Sequence, residues 1–128
     1  MESMIGFVQR YLGTKYCRGG RGVDGIDCIG LVLKFYEEVY KEKLPDIYRK
    51  DFDNQGKFDR AVELFSKSFY PVFSHKKKPG DIVLFKFDKT YHVGIVISQQ
   101  QFIHAEQRRG VVIQRFQRGI RYGFYRKK

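Results

Sequence analysis

The sequence predicts an α+β fold, with helices first and antiparallel strands after them. In the first half, apolar residues recur at helical spacing around Met4–Tyr11 and Cys28–Tyr40. From Tyr70 onward they alternate at period two in short runs bounded by turn residues. Helices followed by strands, rather than alternating with them, place the helices on one side of an antiparallel sheet. The 128 residues contain no internal repeat, linker or low-complexity tract, so all of them are assigned to one domain.

Taken in order, Met4, Ile5, Val8 and Leu12, with Phe7 and Tyr11 beside them, predict a first helix that stops at Gly13 and packs near the second. Gly19, Gly20, Gly22 and Gly25 then make a loop through which helix cannot persist. Asp27 is a suitable N-cap for the second helix. Beyond it, Ile29, Leu31, Val32, Leu33, Phe35, Tyr36, Val39 and Tyr40 form a broad apolar surface, with Lys34, Glu37, Glu38 and Lys41 facing outward. Leu44 to Gly56, rich in Pro, Asp and Asn, reads as a loop bordering a cleft, and Phe58 to Phe69 suggests a third helix over Lys57–Ser68. About five to six strands follow: Tyr70–Phe73, Asp81–Phe87, His92–Ser98, Phe102–Ala105, Val111–Gln114 and Tyr122–Arg126. Pro79-Gly80 marks one turn and Gln99-Gln100 another.

Lys and Arg number 25 against 14 Asp and Glu, a net charge of +11, which points to an anionic partner. Nucleic acid, anionic lipid and an acidic wall polymer all fit that charge. With no P-loop, zinc-finger spacing or aromatic nucleic-acid motif, nucleic acid stays a non-specific partner only. Met1–Leu12 has no apolar run of signal-peptide length, and no stretch is long enough to span a membrane.

Cys28, on the first turn of the second helix, reads in two ways. Free cysteines are commonly small buried hydrophobes. The N-terminal N–H groups and dipole, however, favour an anion there, which would lower the thiol pKa and make Cys28 a nucleophile. A nucleophile needs a base, and the base needs an orienting group. His92 and His104 lie on adjacent predicted strands, where both rings can occupy one face; His75 sits in a basic turn and reads as solvated. Cys17 and Cys28 are read as free thiols, because a bridge would consume the nucleophile, and Cys28 is expected to alkylate faster than Cys17 near neutral pH. The Cys and His intervals lack the close pairing of a zinc site, so no metal or cofactor is assigned.

Six segments, in order, resemble the NlpC/P60 peptidases, papain-like cysteine hydrolases that mostly cleave peptidoglycan stem peptides. LGTKYCRGG looks like the family's tyrosine and double-glycine loop, GIDCIGLVLKFY like its nucleophile helix and KEKLPD like the short segment after that helix. KKPGDIVLF, YHVGIVI and FIHAEQRRGVVI are similar to its three strand segments. The resemblance implies a papain-like architecture with Cys28 as nucleophile, His92 as general base and acid, and His104 as the orienting residue. It also implies that Tyr16 positions the thiol or stabilises the oxyanion, alongside the backbone N–H of Cys28. Asp27, Ile29 and Gly30 are offered as substrate contacts; Ile29 stands where the family usually has serine or threonine.

The expected reaction is hydrolysis of an amide in a peptidoglycan stem peptide, between D-γ-glutamate and a diamino acid. Anionic wall polymer is a further expected partner, and the wall or periplasm the expected place of action. The delivery route stays open among a phage particle, a secretion apparatus and a trimmed leader. An amidase or acyltransferase on another substrate, or an inactive basic binding module, are the alternatives.

Overall fold

The computed structural model of the chain describes residues 3–46, 67–87 and 90–128. Helix α1 (Met4–Tyr11) begins where the Ser3 side chain accepts the Gly6 N–H at 3.0 Å. Its helical spacing turns Phe7 and Tyr11 inward, and Phe7 meets Phe35 edge-on at 5.1 Å. Each aromatic ring buried in this way contributes roughly 1.5–3 kcal/mol over leaving it in water. Tyr11 and Arg10 both hydrogen-bond the Glu38 carboxylate, which holds α1 against helix α2 (Cys28–Val39). Between the helices the glycine-rich loop forms a small hairpin of two-residue strands, β1 (Arg21–Gly22) and β2 (Gly25–Ile26), where the sequence predicts only a loop.

The remaining strands are β3 (Phe69–Val72), β4 (Ile82–Phe87), β5 (Thr90–Val96), β6 (Gln101–Glu106), β7 (Gly110–Arg115) and β8 (Tyr122–Lys127). They form one antiparallel sheet in the order β3-β8-β4-β5-β6-β7. The C-terminal strand thus inserts between β3 and β4. A bidentate ion pair fixes it there, with Arg126 Nε and Nη2 each donating to Asp81 at 2.8 Å. The Pro79-Gly80 turn leads into β4 with Gly80 at φ +96°, as its sequence predicts. The third helix expected over Lys57–Ser68 falls largely on residues 47–66, outside the described residues, as does most of the Leu44–Gly56 loop; Lys67 and Ser68 form a turn.

Strand alternation gives the sheet two apolar faces. Ile82, Val93, Ile95, Ile103 and Ala105 pack against α1 and α2. Val83, Phe85, Val96, Phe102 and Phe124 form a second cluster on the opposite face, joined by Phe116 and Ile120 from the β7–β8 connection. The helices therefore lie on one side, as expected, but both sides of the sheet are buried. His92 and His104 belong to the alternation that faces the second cluster.

Candidate active site

Everything at the start of α2 is tied to one carboxylate. Asp27 is fully buried; its Oδ1 accepts from the Gly30 N–H and from Arg21 Nη1, and its Oδ2 from the Gly19 N–H, all at 2.7 Å. It therefore caps the helix, closes the glycine loop and anchors the β1–β2 hairpin together. Arg21 continues to Asp46 through its Nε at 2.8 Å. A Cβ at Gly30 would lie 2.4 Å from the Gly20 carbonyl oxygen, so only glycine lets the loop pack on this turn. Ile29 is buried in the core cluster. Of the three residues expected as substrate contacts, Asp27 and Gly30 are buried and hydrogen-bonded to each other, and Ile29 is buried in the core cluster.

Hydrogen bonding along β5 fixes which way the Val93 N–H points. Val96 N–H donates to Asp81 O on the β4 side, whereas Ile97 N–H donates to Gln101 O on the β6 side, so Val93 directs its N–H toward β6. Pairing of β5 with β6 extends only over Ile95–Ile103 and Val96–Phe102, and the two strands part before Val93 is reached. A Val93 backbone hydrogen bond is among the influences that lower the Cys28 thiol, and α2 packs on β5.

Burial pushes the Cys28 thiol up to about 12; the Asp27 carboxylate pushes it the same way, and the N–H groups of Val93, Ile29 and Cys28 itself oppose both. This direction runs against the dipole-lowered thiol expected from the sequence, with burial as its largest cause and the Asp27 charge next. Tyr16, bridged to Ile26, has its phenol raised by burial first and then by Cys28 and Asp27, so it stays protonated at neutral pH.

The two histidine rings are brought together against Phe85. His92 stacks on it at 5.2 Å between centroids and His104 meets it edge-on at 5.9 Å. Gly94 makes room for this, because a Cβ there would lie 2.6 Å from Ile103 O and 3.1 Å from the His104 Cβ. Burial lowers the pKa of both rings, while Glu106 acts to raise each. These directions favour the uncharged form of the thiol and of both rings at neutral pH.

Burial of Cys28 reverses the alkylation order expected of the two cysteines. At neutral pH iodoacetamide should modify exposed Cys17 before buried Cys28, and the Cys28 rate should climb as pH rises toward its raised pKa, since only thiolate reacts. Peptide mass spectrometry over a pH series measures this. A Cys28 rate already at its maximum near pH 7 would contradict a raised thiol.

Among the described residues, no three His, Cys, Asp or Glu side chains are grouped to hold a metal, and no helix is long and apolar enough to cross a membrane. A family model described as the NlpC/P60 family matches residues 13–126. The chain belongs to the NlpC/P60 family. Within that family, the murein DD-endopeptidase MepS/murein LD-carboxypeptidase of Escherichia coli strain K12 is 35% identical over 102 residues, which are 79% of this chain and 47% of that protein. A probable endopeptidase NlpC homolog of Haemophilus influenzae is 30% identical over 112 residues, 88% of this chain and 52% of that one. The chain thus spans about half the length of these curated relatives. Among solved structures, NlpC1 from Trichomonas vaginalis superposes with a TM-score of 0.71 at 25% identity, covering 94% of this chain and 41% of the other. The NlpC/p60 domain of the peptidoglycan hydrolase SagA, at 24% identity and a TM-score of 0.62, covers 94% and 93% and shares the fold.

Three side chains near the histidines of this NlpC/P60 chain go unnoticed in the sequence. Gln114 Oε1 lies 2.9 Å from His104 Nε2, Arg109 Nη2 donates to the same oxygen at 3.4 Å, and Arg109 Nε pairs with Glu106 at 2.9 Å. The available signal is alternation: in GVVIQR, Gln114 is a polar residue on the inward side of a strand whose pairing with Phe102 places it beside position 104.

Proposed function

We propose that the chain is a cysteine peptidase that hydrolyses an amide bond in peptidoglycan stem peptides, between D-γ-glutamate and a diamino acid, with Cys28, His92 and His104 as its working residues. The observation that carries this reading is the family match over residues 13–126, in a fold that sets Cys28 at the head of α2 and gathers the His92 and His104 rings on Phe85. As the sulfur attacks the carbonyl carbon, its proton passes to neutral His92, and the oxyanion meets the Cys28 N–H and the Tyr16 hydroxyl. His92⁺ then protonates the leaving amine, giving a thioester. Neutral His92 next takes a proton from water, which attacks the thioester, and the returning proton restores the thiol. His104 orients His92.

The name of the E. coli relative favours a second reading, in which the bond joins two D-centres of cross-linked stems or releases a terminal residue. Digestion of defined muropeptides with mass-spectrometric product identification separates the readings. The proposal expects monomeric stems cut after D-γ-glutamate; conversion of cross-linked dimers to intact monomers, or loss of only the terminal residue, would replace the bond assignment.

The net charge of +11 supports attraction to anionic wall polymer, and on this reading the chain acts at the wall or periplasm whatever route delivers it. Binding to purified sacculi should weaken as salt rises from 0.05 to 0.5 M, through screening. Binding that does not change with salt would remove electrostatics as the cause.

A further inference from the structure

The His104 ring carries an unusual pair of environments. Its Nε2 lies 2.9 Å from Gln114 Oε1, while its Nδ1 is buried with no hydrogen-bond partner in the structure. Buried ring nitrogens left without partners are uncommon and call for an explanation. The neighbouring groups supply one.

Arginine can only donate. Because Arg109 Nη2 reaches the Gln114 side-chain atom that also faces His104, that atom must be the amide oxygen. Arg109 is itself held by Glu106, which accepts from its Nε at 2.9 and 3.0 Å. An oxygen facing His104 Nε2 requires that nitrogen to carry the proton. In a neutral imidazole the other nitrogen is then a bare acceptor. We infer that Gln114, fixed by the Glu106–Arg109 pair, is a positioning residue that selects the Nε2–H tautomer of His104 and leaves Nδ1 as an acceptor for a ring N–H of His92.

The inference rests on the peptidase reading for its purpose and for the His92 partner, and on the Gln114–His104–Arg109 geometry for the His104 tautomer. A His92 nitrogen that donates to His104 obliges the other His92 nitrogen to be unprotonated, which is the form able to take the Cys28 proton. The surface pair Glu106–Arg109 would thereby set, through Gln114 and His104, which nitrogen of His92 acts as base. No covalent step is involved, only the location of protons on rings.

The test is nitrogen-15 NMR of histidine-labelled protein, read together with turnover of muropeptides. In the wild type, His104 should show the Nε2–H tautomer with an unprotonated Nδ1. Gln114→Met, close in shape but with no acceptor, should lose that single tautomer, and kcat should fall by at least about tenfold with KM little changed. Gln114→Glu restores an acceptor at the same reach; it should recover the Nε2–H form and much of the rate at high pH. Its added negative charge should favour His104 imidazolium, so this variant should lose activity at a higher pH than wild type as pH falls.

Arg109→Met, at an exposed position, frees the amide to turn and should mix the tautomers even if Gln114→Met fails to fold. A wild-type His104 protonated at Nδ1, or a tautomer unchanged in both Met variants, would overturn the inference. So would an altered tautomer with unaltered kcat. Failure of the peptidase reading looks different: no variant or wild type would release peptides, while the NMR would still report the tautomer.

Discussion

Replacing Cys28 by alanine is expected to lower peptide release from purified peptidoglycan by roughly 10⁴-fold or more, the scale on which losing the nucleophile of a catalytic triad is felt. The protein should stay folded. The sulfur is small and packed between α2 and β5, and truncating one buried heavy atom costs only about 1 kcal/mol. No other described thiol can substitute, because Cys17, the second cysteine, is exposed in the loop after Tyr16. Release assays with circular dichroism on the same preparation separate loss of chemistry from loss of fold. Equal release by wild type and variant would remove Cys28 from the mechanism.

The second large effect concerns stability. Asp27→Ala should cost about 3–5 kcal/mol, the range for breaking a buried ion pair by deleting one partner. Arg21 would lose the carboxylate it approaches at 2.7 Å, and the N–H groups of Gly19 and Gly30 would lose their acceptor in the interior. Asp27→Asn should fall between, since its carbonyl still caps Gly30 but its amide cannot serve every donor. In that variant, removal of the charge should also lower the Cys28 thiol and speed its alkylation at a given pH. Chemical denaturation gives the magnitude; an alanine variant within about 0.5 kcal/mol of wild type would deny Asp27 its organising part.

How much of this was legible in the sequence depends on the range of the forces involved. The strand carrying His92 was legible because Val93, Ile95 and Ile97 alternate with His92, Gly94 and Val96, and one buried face suffices to write that pattern. The start of α2 was legible because a cap acts within three residues, as Asp27 does on Gly30. The β1–β2 hairpin was not, since strands of two residues in a glycine-rich run carry no alternation. Nor was the insertion of β8 between β3 and β4, which depends on partners such as Asp81 and Arg126 that are far apart in the chain.

The site shows the same division. Cys28, His92 and His104 stand out by residue type and order, and the fold does bring both rings to Phe85. The raised direction of the Cys28 thiol was not legible, because the helix dipole is a local rule whereas burial and the nearby Asp27 charge are properties of the assembled core. Gln114 and Arg109 escaped notice for a related reason. Only the β6–β7 register sets them beside His104.

In the proposed mechanism the sulfur at the head of α2 bonds to the acyl carbon of the substrate as its proton passes to His92. Acid quenching during turnover of a stem peptide, followed by digestion and mass spectrometry, tests it most directly. An added acyl mass should be confined to the fragment bearing Cys28. An acyl group found on a different side chain, or continued turnover by Cys28→Ala with no adduct at that position, would contradict it.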